Sequence, residues 1–324
     1  MDSQVFILNE KRNVTLTAYL QDDSQEFWRA KKRPAVVIFP GGAYAYYSDR
    51  EADPVAQEYL RAGYHAFVLR YSVGWENAVW PNPLEDYDQA MELIAAHAKE
   101  WHLIPEKIAV IGFSAGGHLA ACAATMARHR PAAAILAYPV ILEGLAAICA
   151  KGAPGADKAV DSQTCPCFIA AAGTDTMVSA MNSLRFVEAL YENGISAELH
   201  LYAFGPHGFS TARTSIADPA ELCSRTLHWV EDSISWLEDV FGAFTSGEMS
   251  SPRCPGRVRK DKDPYLSVDC QLATIAGNQI AVERLKQLIL VEETTQKWIA
   301  EQKENLLTSE MTLRSALQFL NVPG

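Results

Sequence analysis

From residue 35 onward the chain alternates short apolar runs with longer stretches in which apolar residues recur at helical spacing. AVVIFP (35–40), HAFVLRYSV (65–73), KIAVIGFS (107–114), AAAILAYPV (132–140), CFIAAAGTD (167–175) and AELHLYAF (197–204) read as strands. Helices are predicted between and after them, over 53–63, 84–102, 115–128, 179–192 and 218–240. Gly63 ends the first of these, and two prolines precede the second. Strands that are apolar almost throughout, joined by helical crossovers, need cover on both faces, as in a parallel sheet. Ahead of them VFILNEK and VTLTAYLQ predict a hairpin over 4–21 that turns at Asn13 and adds an antiparallel edge. The fold class is therefore α/β, with a mostly parallel central sheet, helices on both faces and an N-terminal antiparallel hairpin.

After residue 245 the pattern changes. TSGEMSSPRCPGRVRKDKDP (245–264) is rich in Ser, Pro, Gly and charge, the composition of a linker or long loop. Beyond it, 278–307 carries Leu285, Leu288, Ile289 and Ile299 near helical spacing, and 309–320 places Leu313, Ala316, Leu317 and Leu320 on one face. The expected organisation is a domain over 1–245, a linker or long loop over 246–277 and a helical extension over 278–324. Those helices can dock on their own chain or form a contact between copies in a homo-oligomer; an apolar stripe is more often buried within its own chain.

The 324 residues carry a formal net charge of −11, with 49% hydrophobic and 21% charged positions. An acidic surface repels polyphosphate and argues against nucleic acid or anionic membrane as partners. Seven scattered cysteines suggest no disulfide framework, and reduced thiols in a cytoplasm are the simplest reading. The first residues, MDSQVFILNEKRN, lack the basic and apolar regions of a signal peptide, and no apolar run reaches the roughly 18 residues of a membrane span.

The sharpest local signal is Gly112-Phe113-Ser114-Ala115-Gly116, between a predicted strand and a predicted helix. In that setting G-x-S-x-G describes a nucleophile elbow: the turn is too tight for side chains at Gly112 and Gly116, and it exposes the Ser114 hydroxyl. The N–H of Ala115, at the start of the helix, can stabilise an oxyanion. A phosphate loop is disfavoured, since no G-x-x-x-x-G-K-[ST] segment occurs and the next strand ends Ala137-Tyr138-Pro139-Val140 without an acid. Serine needs a positioned base, and His207, in Gly205-Pro206-His207-Gly208 after the last strand, is the best placed. His200 lies inside a strand; His97, His102, His129 and His228 fall on or beside helices; His118 is expected to pack beside the site. Asp175, ending Gly173-Thr174-Asp175 after another strand, is the candidate acid to orient the imidazole. Pro40-Gly41-Gly42-Ala43, directly after the 35–40 strand, offers backbone N–H groups to a bound carbonyl. All four pieces follow strands whose C-terminal ends share one edge of a parallel sheet, where ligands bind.

With these segments in place, the chain resembles the α/β-hydrolase esterases of the acetyl esterase and lipase group, especially small bacterial enzymes that deacetylate carbohydrates such as acetylated xylo-oligosaccharides. The resemblance rests on FPGGAY (39–44), WPNPLEDYDQA (80–90), IGFSAGGHLAA (111–121), GTDTMV (173–178) and GPHGFS (205–210), and covers about residues 30–240. It implies a Ser114, Asp175 and His207 triad and an oxyanion hole from the N–H groups of Gly42, Ala43 and Ala115. Many relatives have His-Gly-Gly-Gly where this chain has Pro40-Gly41-Gly42-Ala43, and residues 246–324 have no family counterpart.

The expected chemistry is acyl transfer on a small-molecule ester, without metal or organic cofactor, slowing toward acid pH as the imidazole is protonated. The segment 141–164 has room for one short helix but no large cap, which suits short acyl groups, above all O-acetyl groups on carbohydrate. Tyr44, Tyr46 and Tyr47 are candidates to line the site and stack on a sugar. Two alternatives stay open: a peptidase or amidase on the same triad, and a catalytically idle hydrolase fold that binds partners through its C-terminal helices.

Overall fold

The computed structural model describes residues 2–22, 24–259, 265–288, 301, 304–305 and 308–319. The chain divides into two compact units, Met1–Gly256 and Arg257–Gly324.

The first unit is built on eight strands: β1 (Asp2–Asn9), β2 (Val14–Leu20), β3 (Arg33–Phe39), β4 (His65–Arg70), β5 (Leu103–Phe113), β6 (Ala133–Ala137), β7 (Cys167–Ala172) and β8 (Ala197–Tyr202). They form one sheet in the order β1-β2-β4-β3-β5-β6-β7-β8. The β1–β2 and β2–β4 pairs are antiparallel and the rest parallel, as the apolar pattern and the leading hairpin predict. Every residue of β3 is buried. Ala35, Val37 and Phe39 join the apolar cluster on one face while Val36 and Ile38 join that on the other, so the strand is apolar at every position from Ala35 to Phe39. Each such Val, Ile or Phe contributes about 1.5–3 kcal/mol by leaving water.

Helices α1 (Asp53–Arg61), α2 (Asn82–His97), α3 (Ala115–Met126), α4 (Glu143–Cys149), α5 (Met181–Glu192) and α6 (Trp229–Phe241) complete the unit. α3 is buried from Ala115 through Thr125, and its run of Ala and Gly lets it lie close against the sheet. Helix α2 begins at Asn82, two residues before the predicted start, with proline in its first turn, where a missing N–H costs nothing. The helix predicted over 218–240 starts only at Trp229. Residues 219–221 and 224–228 form separate 3-10 turns, because Asp218 accepts from the Ala220 N–H and Leu222 and Cys223 are extended, with ψ of 142° and 130°. Between β6 and β7 lie only the seven-residue α4 and a 3-10 turn at Ala156–Ala159, so no large cap covers the sheet edge there.

The parallel register aligns the strand ends. Phe39 pairs with Gly112, Phe113 with Ala137, Ala137 with Ala170, and Ala172 with Tyr202. The residues that follow each strand therefore emerge in one row.

Residues 246–256, the first part of the expected linker, are hydrogen-bonded into this first unit. Ser250 N–H donates to Ala243 O (2.9 Å), Cys254 N–H to Asp239 O (2.9 Å) and Ser196 N–H to Gly256 O (3.2 Å). The second unit contains α7 (Leu272–Ala276), inside the segment read as linker, and α8 (Gln279–Leu288) and α9 (Leu313–Phe319). Cys270, Ile275 and Leu313 form its small core, with Leu272, Ala281 and Leu317 against it, so Leu313 and Leu317 of the 309–320 stripe pack within their own unit. Most of the helix predicted beyond residue 288, including Ile289 and Ile299, and Leu320 lie outside the described residues, as do the side chains of Leu285 and Leu288. No helix among the described residues is long and apolar enough to cross a membrane.

Candidate active site

The turn between β5 and α3 explains its own glycines. A Cβ on Gly112 would lie 2.1 Å from the Gly116 carbonyl oxygen, and one on Gly116 would lie 2.1 Å from that of Phe39 and 2.6 Å from that of Pro40. Ser114 between them has φ 53° and ψ −114°, a left-handed conformation that a residue with a Cβ rarely adopts. Such strain costs on the order of 1–3 kcal/mol and persists only where the surroundings enforce it. Here the Ser114 N–H donates to Ala137 O (3.0 Å), and its carbonyl accepts from the N–H of His118 (3.1 Å) and Val140 (3.0 Å).

His207 lies on the loop after β8 and Asp175 on the loop after β7, and the two loops are laced together by Thr174. Its hydroxyl accepts from Gly205 N–H (3.0 Å) and donates to Gly205 O (3.1 Å). His207 Nδ1 is 2.7 Å from Asp175 Oδ2, and His207 Nε2 is 2.9 Å from Ser114 Oγ. The other carboxylate oxygen of Asp175 accepts from the N–H groups of Met177 and Val178, both at 2.9 Å. Burial pushes this carboxyl up, but the bonds from His207, Val178 and Met177 outweigh it and hold it below the ordinary carboxylate range. An ionised Asp175 only accepts, so Nδ1 carries the ring proton; Nε2 of the neutral ring is then free to accept from the Ser114 hydroxyl. The three side chains named from the sequence are thus joined in series.

The loop after β3 runs through Gly42, Ala43 and Tyr44 at φ of 124°, 53° and 56°. A Cβ on Gly42 would meet the Tyr46 carbonyl at 2.1 Å. Among the described residues, the N–H groups of Gly42, Ala43 and Ala115 donate to no protein acceptor, whereas the Gly41 N–H is taken by Glu51 Oε2 at 2.9 Å. Three donors therefore remain available around Ser114, at the start of α3 and on the neighbouring loop.

The three tyrosines differ in what they present to a ligand. Tyr44 is only 1% exposed, with its ring edge-on to Tyr71 and His118, so it offers no face to a sugar. The ring of Tyr47 packs edge-on to Tyr71, and its hydroxyl donates to the Tyr71 carbonyl. Tyr46 alone of the three is open, at 63% exposure. Beside the loop is an apolar cavity of about 220 Å³, lined by Ala43, Tyr44, Trp75, Ala78, Ile148 and Cys149 among others. Nothing in the sequence pattern marked Trp75, in the turn after β4, or Ile148, near the end of α4, which lie far apart in the chain.

His118 is packed beside the site, as expected. Its Nε2 is 2.8 Å from the Pro154 carbonyl, which can only accept, so Nε2 holds the proton and Nδ1 accepts from the Tyr44 hydroxyl at 2.9 Å. Burial lowers its pKa to about 4 despite the Pro154 bond, which leaves it neutral and makes it a support for the Tyr44 loop.

The BD-FAE family matches residues 26–138. MGS-M1, an alpha/beta hydrolase enzyme from a Medee basin deep-sea metagenome library, is 40% identical, with a TM-score of 0.67 over 74% of this chain and 98% of its own. Endo-1,4-beta-xylanase B of Butyrivibrio fibrisolvens is 30% identical over 229 residues, 61% of this chain and 35% of that protein. Acetylxylan esterase of Xylanibacter ruminicola is 30% identical over 197 residues, 54% of this chain and 41% of that protein. The chain thus spans well under half the length of these two curated relatives. The match along nearly the whole of MGS-M1, on a sheet of the same class with a strand–Ser–helix elbow at its centre, places this chain in the α/β-hydrolase family.

Proposed function

We propose that the protein is a serine esterase that hydrolyses short-chain carboxylic esters, with O-acetyl groups on carbohydrate as the natural substrate class. The observation that carries this reading is the unbroken series Asp175–His207–Ser114, at 2.7 and 2.9 Å, beside three uncommitted backbone N–H donors. Ser114 attacks the ester carbonyl as His207 takes its proton, and Asp175 stabilises the resulting imidazolium. The oxyanion is received by the N–H groups of Gly42, Ala43 and Ala115. His207 then protonates the leaving alcohol; water, deprotonated by the same imidazole, releases the acid from the acyl-enzyme.

Substrate size is argued from the surroundings. The adjoining cavity of about 220 Å³ is smaller than the roughly 300–1,000 Å³ that holds drug-sized ligands, and suits a small group. The short connection over 141–164 leaves the sheet edge open to a polar, bulky alcohol such as a sugar. The acetylxylan esterase among the relatives supports the same class. Initial rates on p-nitrophenyl acetate, butyrate and octanoate and on acetylated xylo-oligosaccharides test the proposal, with Ser114→Ala as control. Turnover is expected to be highest for acetate and to fall roughly 10⁶-fold in the variant. A variant with near-normal activity, or a preference for octanoate, contradicts it.

A further inference from the structure

Glu51, which no motif marked, is buried to 2% exposure in a 3-10 turn just before α1. Its two carboxylate oxygens are used in different directions. Oε2 accepts from the Gly41 N–H at 2.9 Å, and Oε1 accepts from the Tyr138 hydroxyl at 2.7 Å. The Tyr138 hydroxyl in turn accepts from the N–H of Ser210 at 3.0 Å, three residues after His207. Every polar group of Ser210 is engaged: its hydroxyl donates to Arg50 O at 2.5 Å, and its carbonyl accepts from Trp229 Nε1 at 2.8 Å. Ser210 is fully buried with φ 47°, so these bonds hold a strained corner of the histidine loop. The Tyr138 ring also stands edge-on to the His207 imidazole, centroids 5.0 Å apart. On the other side, Gly41 is pressed against the nucleophile; a Cβ there would meet Phe113 O at 2.8 Å and Ser114 Cβ at 3.1 Å.

We propose that Glu51 is a positioning residue: one buried carboxylate fixes the loop carrying the oxyanion donors through Gly41 and, through the Tyr138 hydroxyl and Ser210, the loop carrying His207. The loops after β3, β6 and β8 are otherwise separate in sequence, and this link sets the donors, the nucleophile turn and the base at fixed spacing. Both partners of Glu51 donate, so the position needs two acceptors; an ionised carboxylate supplies them, and an amide supplies one. Burial and the neighbouring Glu51 charge push the Tyr138 pKa well up, which keeps its hydroxyl a donor to Glu51.

The inference rests on the reading of Ser114 and His207 as catalytic, and the test separates the two. Wild type, Ser114→Ala, Glu51→Gln, Tyr138→Phe and the double variant of Glu51 and Tyr138 are compared on p-nitrophenyl acetate. Inhibition by a trifluoromethyl ketone, which binds as a tetrahedral oxyanion adduct, is measured for each. Glu51→Gln is expected to lower kcat roughly 10- to 100-fold with KM within about twofold. Ketone affinity should fall by a similar factor, a change that mere loss of stability does not produce below the unfolding transition. Tyr138→Phe keeps the ring against His207 and should lose part of the same kcat; the double variant should lose no more than Glu51→Gln alone. Wild-type kcat and ketone affinity in Glu51→Gln, a loss confined to KM, or fully additive losses overturn the proposal. If Glu51→Gln does not fold, Tyr138→Phe decides, and wild-type kcat there overturns it. Activity surviving in Ser114→Ala instead removes the catalytic reading underneath.

Discussion

Two buried histidines give the fold a defined acid limit. His118 is fully buried beside the nucleophile, and His65, at 1% exposure, donates from Nε2 to the Trp101 carbonyl (2.8 Å) and accepts at Nδ1 from the Gln21 N–H (3.1 Å). In both, burial lowers the pKa from the ordinary 6.5 to about 4. The folded value lies below the unfolded one, so the unfolded chain binds protons first. The stabilisation is present in full above about pH 6.5 and is lost as pH falls toward 4. For each histidine the linkage integral between these values gives about 2 kcal/mol lost at pH 5 and about 3 kcal/mol at pH 4. Together they remove about 4 kcal/mol by pH 5, against a typical total of about 5–15 kcal/mol. Asp175, held below the ordinary carboxylate range, loses its contribution only at lower pH and does not blur this window. The assay is urea unfolding followed by ellipticity at pH 7.5, 6 and 5. Wild type should lose stability at up to about 2.7 kcal/mol per pH unit within the window, and His118→Gln, though weaker at pH 7.5, should show a slope shallower by about 1.4. Equal slopes in the two proteins, or a wild-type stability flat between pH 7.5 and 5, refute the reasoning.

Other outcomes follow from the site geometry. Asp175→Asn keeps the shape but can donate to Nδ1, moving the ring proton to Nε2, where it blocks acceptance from Ser114. Steady-state kcat should fall on the order of 10³–10⁴-fold with an unchanged melting temperature, and a loss below tenfold excludes the tautomer role. Gly116→Ala forces a Cβ to 2.1 Å from the Phe39 carbonyl and should abolish folding or fluorophosphonate labelling. Gly144→Ala, in α4 with nothing within 4 Å of the new Cβ, should instead raise stability by about 0.5–1 kcal/mol in the same melting assay.

What could be read from sequence was what local sterics or a simple period dictates. Strands β3, β4, β6 and β7 inside the parallel sheet are apolar at nearly consecutive positions because both faces are covered, and that pattern needs no partner to be visible. Gly112 and Gly116 could be read for a similar reason, since the tight turn around Ser114 excludes side chains whatever the rest of the chain does. His207 and Asp175 were recognisable from their place just after a strand. Exposure was not: Tyr44 and Tyr46 are two residues apart on one loop, and only packing against Tyr71 and His118 buries the first. Nor was Glu51, whose partners lie 10 and 87 residues away and leave no periodic trace. Tyr138 sits in the Ala137–Val140 segment that the sequence marks only by its lack of an acid. The late start of α6 was hidden because the apolar spacing of 218–228 resembles a helix, while the backbone at Leu222 and Cys223 is extended.

The covalent intermediate offers the most direct measurement. The protein is mixed with p-nitrophenyl acetate, quenched in acid during turnover, digested, and its peptides weighed by mass spectrometry. An acetyl group on the peptide containing Ser114, absent from Ser114→Ala and accumulating at the rate of p-nitrophenol release, is the predicted result. Steady hydrolysis with no acetyl on Ser114, or with the acetyl group on another residue, contradicts the proposed esterase mechanism.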